Sequence, residues 1–167
     1  MIDVYSKLTG RIILVHPTVD CGPVSLQAVW TNQILEKEDV SGVFKKYFNE
    51  RGASAISDGK RFLQLVPSNM SQATALTSED LPVRSPKVGA MLLSGDLGNL
   101  VEAYARLSGR RRSGARPVVN GFIPYLNVTQ SLSEPEVFYI LETFLHWNGF
   151  SIVLGDDNTF SIMLAGQ

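Results

Sequence analysis

Cysteine is nearly absent: Cys21 is the only one in 167 residues. A lone thiol excludes an internal disulfide, and no base or oxyanion signature marks it as a nucleophile. Histidine is scarce as well. His16 and His146 are the only two, neither has a Cys or His partner at metal spacing, and both read as structural or surface residues. No apolar run reaches the roughly 18 residues a membrane helix needs. An excess of either charge is also missing. Fifteen basic residues face 16 acidic ones, for a net charge of −1, so nothing pulls the chain toward nucleic acid or anionic membrane at long range. Gly-x-Ser-x-Gly, Gly-x-x-x-x-Gly-Lys and Gly-x-Gly-x-x-Gly do not occur. Asp156-Asp157-Asn158 lacks the alternating spacing and closing Glu of a calcium loop and reads as a hairpin turn. The expectation is a non-catalytic protein with no cofactor, no metal and no small-molecule substrate. The chain opens on polar Asp3, Ser6 and Lys7, without the apolar core of a signal peptide.

What the chain has is an ordinary globular composition, 44% apolar and 19% charged, and a sequence that nearly repeats itself. Tyr5-Ser6-Lys7-Leu8-Thr9-Gly10-Arg11 returns as Tyr104-Ala105-Arg106-Leu107-Ser108-Gly109-Arg110. Leu35 through Gly52 is echoed by Leu132 through Gly149. Each copy then closes on an apolar hairpin, with Phe62-Leu63-Gln64-Leu65 matched to Phe160-Ser161-Ile162-Met163. Two copies of one small module account for the length better than a single catalytic fold.

Copy two is the clearer. Val88 to Ser94 reads as a strand. Asp96 caps a helix with Leu97, Leu100, Val101, Tyr104 and Leu107 along one face, and Gly109 closes it. The polar run Arg110 to Arg116 follows, then an extended stretch from Val118 to Val128. Ser133-Glu134-Pro135-Glu136 opens a second helix with a capping box and an early proline. Its stripe is Val137, Ile140, Leu141, Phe144 and Leu145, and two strands flank the turn 155–158. Copy one follows the same order. Helix residues 2–8 end at Gly10, strands cover 12–15 and 24–31, and a helix carries Val40, Val43, Phe44, Tyr47 and Phe48. Strands at 53–56 and 61–66 then flank Asp58-Gly59. Copy one has no room for the strand that precedes the first helix in copy two, as in a trimmed or naturally shortened module. The predicted fold class is α+β: two tandem domains, each a mixed three-stranded sheet with two helices on one face. Domain one is 1–67, its first strand truncated or absent. Residues 68–87, with Pro67 just before them and Pro82, Pro86 and several Ser and Thr within, form a linker. Domain two is 88–167. The second face of each sheet is expected to be open to partners.

Leu8-Thr9-Gly10 is followed by the apolar strand Ile12 to Val15, then Pro17-Thr18-Val19, Gly22-Pro23-Val24, Leu35, Gly52 and Val66-Pro67. In this order the chain resembles the secretin N-terminal domains, the small KH-like modules of bacterial type II secretion and type IV pilus systems. His16 stands where that family usually has Asp. In copy two, Arg111-Arg112-Ser113-Gly114 replaces the apolar strand, so that strand is expected to be missing or shifted to Val118-Val119. The resemblance implies a periplasmic protein of an outer-membrane complex. It implies self-association into rings or stacks, and docking onto inner-membrane components or cargo. No segment resembles the membrane-inserted pore.

Two features mark a candidate interface. Trp30, matched by Asn127, is a candidate exposed anchor. Arg106, Arg110, Arg111, Arg112 and Arg116 form the sharpest charged cluster, expected to meet carboxylates of a neighbouring subunit. The alternative is a KH-like nucleic-acid-binding protein that uses the arginine-rich loop 110–116. Against it, the KH clamp needs a second Gly where Arg112 stands.

Overall fold

The structure is a computed structural model that describes residues 2–20, 37–70, 91–114, 122–128 and 132–165. The chain divides into two compact units, Met1–Ala73 and Thr74–Gln167. It is α+β, with four helices and two small mixed three-stranded sheets among the described residues.

Unit one holds α1 (Ile2–Thr9), β1 (Ile12–Val15), α2 (Lys37–Asn49), β2 (Ala53–Asp58) and β3 (Phe62–Pro67). Gly10 ends α1 in the left-handed region, φ 70°, where a side chain is strained. The sheet order is β1-β3-β2, with β1 parallel and β2 antiparallel to β3. Strand alternation puts Ile13, Val15, Ala53, Leu63 and Leu65 on one face. These join Tyr5 of α1 and Val40, Phe44 and Phe48 of α2 in one core, with Tyr5 stacked on Phe44 at 4.0 Å between ring centres. Both helices therefore lie on this face. The opposite face was expected to be open. It is not: Ile12, Leu14, Phe62, Gln64 and Val66 are all buried.

Unit two holds β4 (Met91–Asp96), α3 (Leu97–Ser108), β5 (Arg111–Arg112), β6 (Phe122–Val128), α4 (Glu134–Trp147), β7 (Phe150–Gly155) and β8 (Thr159–Leu164). Asp96 caps α3 by accepting from the Gly98 N–H, and Gly109 closes it at φ 64°. Ser133 and Glu136 cap α4 reciprocally. The Glu136 carboxylate accepts the Ser133 N–H at 2.8 Å, and the Ser133 hydroxyl oxygen accepts the Glu136 N–H at 3.4 Å. A second sheet, absent from the single-sheet expectation, pairs β4 antiparallel with β6 and slips register between Leu93 and Gly95. The slip falls opposite the Pro124 stretch, where a strand lacks one N–H donor.

The main sheet of unit two, β5-β8-β7, repeats the directions of the first. The match extends to single hydrogen bonds. Ile12 N–H donates to the Arg61 carbonyl as Arg111 N–H donates to Asn158, and Ser68 N–H donates to Gly52 as Ala165 N–H donates to Gly149. Two sequence expectations fall here. Strand β5 is neither missing nor shifted: Arg111 and Arg112 are that strand, so 110–116 is not simply a loop. And Thr159, not Phe160, occupies the place of Phe62, since Ile12 pairs with Phe62 and Arg111 with Thr159. Phe160 takes the place of Leu63 on the core face, where its ring lies 5.0 Å from that of Tyr104.

Candidate interface

Backbone pairing explains why arginines form a strand. The ladder needs only the N–H and C=O groups, and Arg111 and Ser113 donate to Asn158 and Phe160 at 3.0 and 2.7 Å. Apolar side chains are required only on a covered face. In unit one the positions of Ile12 and Leu14 are covered. Their counterparts in unit two, Arg111 and Ser113, are exposed and half-buried.

Alternation along β7 and β8 sorts the remaining side chains. Phe150, Ile152, Phe160 and Ile162 face the helices. Ser151, Val153, Ser161 and Met163 share the outer face with Thr159 and Arg111. Val153 and Met163 are 45% and 40% exposed there, and Leu154 and Leu164 at the strand ends are 55% and 49% exposed. Among the described residues β7 pairs on one side only, which makes it a sheet edge bordering these apolar groups.

The arginines expected to act together are dispersed. Arg106 is exposed in the last turn of α3. Arg110 is half-buried and donates from its guanidinium to the Thr159 carbonyl at 3.4 Å. Arg111 faces outward, whereas Arg112, the next residue along a strand, is half-buried on the opposite face. Trp30 and Arg116 lie outside the described residues, as do Cys21 and the expected strands at 24–31 and Val118-Val119.

The buried Tyr104 interacts electrostatically with the half-buried Glu142 and with Arg110. Burial raises the Glu142 carboxyl above its ordinary range. The Tyr104 hydroxyl is raised chiefly by burial and further by the Glu142 charge, with Arg110 acting in the opposite sense.

The buried His16 is explained by its local bonds. Its Nδ1 accepts the Thr18 N–H at 3.2 Å and shares a 2.8 Å hydrogen bond with the Thr18 hydroxyl. The Val19 N–H donates to the His16 carbonyl. A side chain accepting from the N–H two residues on is the Asx-turn arrangement, so imidazole here does what an Asp would do. An accepting Nδ1 is the neutral form, in keeping with a pKa lowered by burial.

Compared with known proteins, the chain matches no family model and no curated protein. Among the described residues no three His, Cys, Asp or Glu side chains are grouped to hold a metal ion. No helix among them is long and apolar enough to cross a membrane. The sequence reading missed the outer face of β7 and β8. Its signal was the alternation of Phe150 and Ile152 with Ser151 and Val153, in which Val153 breaks an otherwise polar face.

Proposed function

We propose that this chain is a non-catalytic assembly region of a secretin-like cell-envelope complex, of the type II secretion or pilus kind, acting in the periplasm through protein–protein contacts. Its two units are read as tandem KH-like modules, 1–67 and 88–167, joined by the linker 68–87. Each associates with neighbouring subunits, inner-membrane components or cargo. One observation carries the reading most directly. The outer face of β7–β8 presents Val153 and Met163 to solvent, and Leu154 and Leu164 are exposed at the strand ends, while the corresponding outer face of unit one is covered. A small apolar face beside an open strand edge suits a subunit contact. The nucleic-acid alternative loses its basis in one basic loop, because Arg111 and Arg112 face opposite sides of a strand.

The test is sedimentation equilibrium of the whole chain over a wide concentration range. The wild type is expected to self-associate as concentration rises. Val153→Glu with Met163→Glu, both at exposed positions, should abolish association and leave the thermal unfolding midpoint within a few degrees. A chain that stays monomeric throughout, or associates equally with both substitutions, overturns this surface as the contact.

A further inference from the structure

Helices α1 and α2 and the β2–β3 turn border an open cleft of about 520 Å³ in unit one. Arg11, Lys45 and Lys60 line it, together with Tyr5, Ser41 and Ser57, and no described carboxylate does. The donors are held in place. The Arg11 guanidinium donates to the Ser57 hydroxyl at 2.8 Å, and the Tyr5 and Ser41 hydroxyls share a 3.3 Å hydrogen bond. Asp58, next to Ser57 in the chain, belongs to the opposite sheet face, where it accepts a hydrogen bond from the Gln64 amide. Three cations in one concavity repel each other and focus a positive potential that an anion relieves.

The second unit supplies an internal control. At the matching positions Tyr104 and Arg110 remain, but Glu142 stands for Lys45, Asp157 for Lys60, Phe138 for Ser41 and Leu154 for Ser57. Where Tyr5 meets a hydroxyl, Tyr104 meets the Phe138 ring at 4.9 Å. The scaffold is common to both units, while three cations beside three hydroxyls occur at these positions in one alone.

We infer that the unit-one cleft binds the phosphate group of a small, multiply charged ligand. Arg11 suits a planar, two-pronged contact, Lys45 and Lys60 act as mobile point charges, and the hydroxyls donate to remaining oxygens. The volume lies in the range of small-molecule sites and exceeds what one phosphate fills.

The probes are pyrophosphate, followed by calorimetry on the whole chain, and vesicles of phosphatidylglycerol or phosphatidylcholine, followed by flotation. Saturable binding of one pyrophosphate per chain is expected, weakening with added salt. Lys45→Glu and Lys60→Glu, both at exposed positions, should each lower affinity by about tenfold or more. Ser41→Phe, which introduces the residue found at the matching position of unit two, should block binding by filling the cleft, and Arg106→Gln should leave it unchanged. Pyrophosphate binding without flotation assigns a soluble phosphate ligand. Flotation on phosphatidylglycerol alone, lost in the two lysine variants, assigns a lipid headgroup. If neither probe binds, or binding ignores the Lys45, Lys60 and Ser41 substitutions, the inference is overturned. Association through Val153 and Met163 is a separate readout and does not depend on this result.

Discussion

The two units build the same three-stranded ladder and bury it in opposite ways. In unit one the sheet is the inner layer. Both its faces are buried, and among its described side chains α2 buries Val40, Phe44 and Phe48 along one stripe while exposing Lys45 and Lys46. In unit two the helix is the inner layer. Val137, Tyr139, Ile140, Leu141, Thr143, Phe144 and Leu145 of α4 are buried almost all round, and the outer face of the sheet meets solvent. Backbone hydrogen bonding sets the common frame, and coverage decides which positions must be apolar. Bulk shifts in the same way. The face of β2 toward α2 carries Ala53, Ala55 and Ser57, and α2 supplies Phe44 and Phe48. The face of β7 toward α4 carries Phe150, Ile152 and Leu154, and α4 supplies Leu141 and Leu145. On these facing surfaces the aromatic rings belong to the helix in unit one and to the strand in unit two, and either arrangement keeps the interior filled.

The sharpest way to break this comparison is to exchange one pair of matched residues. Ile12, 1% exposed, becomes a buried unpaired cation in Ile12→Arg. That substitution should cost about 4 kcal/mol or more and unfold unit one at ordinary temperature. The reciprocal Arg111→Ile alters an exposed position and should stay within about 0.5 kcal/mol. Urea unfolding of the two variants reads the asymmetry directly. Equal losses would mean that coverage does not distinguish the two sheets.

A smaller effect tests the exchange of bulk. Phe150→Ala opens a cavity and should cost about 3 kcal/mol. Ala53→Phe overfills unit one and should cost about 1–3 kcal/mol. Adding Phe48→Leu should return part of that loss, because α2 packs on β2. Denaturation midpoints of the single and double variants give the coupling, and strict additivity would show that the two layers do not share their volume.

Much of the fold was legible in the chain itself. The caps at Asp96 and Ser133, the stripes of α2 and α4 and the closing glycines are local signals that act through the nearest turns. Two errors came from non-local causes. The arginine strand was hidden because pairing with β8 is a backbone property, while the apolar pattern sought there reports only whether a face is covered. The hairpins were aligned on Phe62 and Phe160, yet those rings lie on opposite sheet faces. A slip of one residue inverts a strand, and only the register with β1 and β5 corrects it. For the interface, the arginine cluster looked coherent because its members are close in sequence. Consecutive strand residues point apart, so that proximity separated Arg111 from Arg112.

The smallest expected effect concerns the position where unit one has Lys45 and unit two has Glu142. Lys45 is exposed, whereas Glu142 is half-buried with a carboxyl pKa raised by burial. On raising the pH, the unfolded chain loses this proton near the ordinary value of 4.5, and the folded chain holds it longer. The stabilisation from protonated Glu142 is therefore complete below that value and is lost as pH rises through the folded one. Glu142→Gln keeps the shape and removes the titration. The variant should unfold with the wild type at pH 4 and at a slightly higher temperature at pH 8, with Tyr104 also relieved of a neighbouring negative charge. Thermal melts across this range check the sign. A variant less stable at pH 8 would mean that Arg110 stabilises the carboxylate more than burial penalises it, making this polar pair in unit two a paired site like a salt bridge and not a desolvated acid.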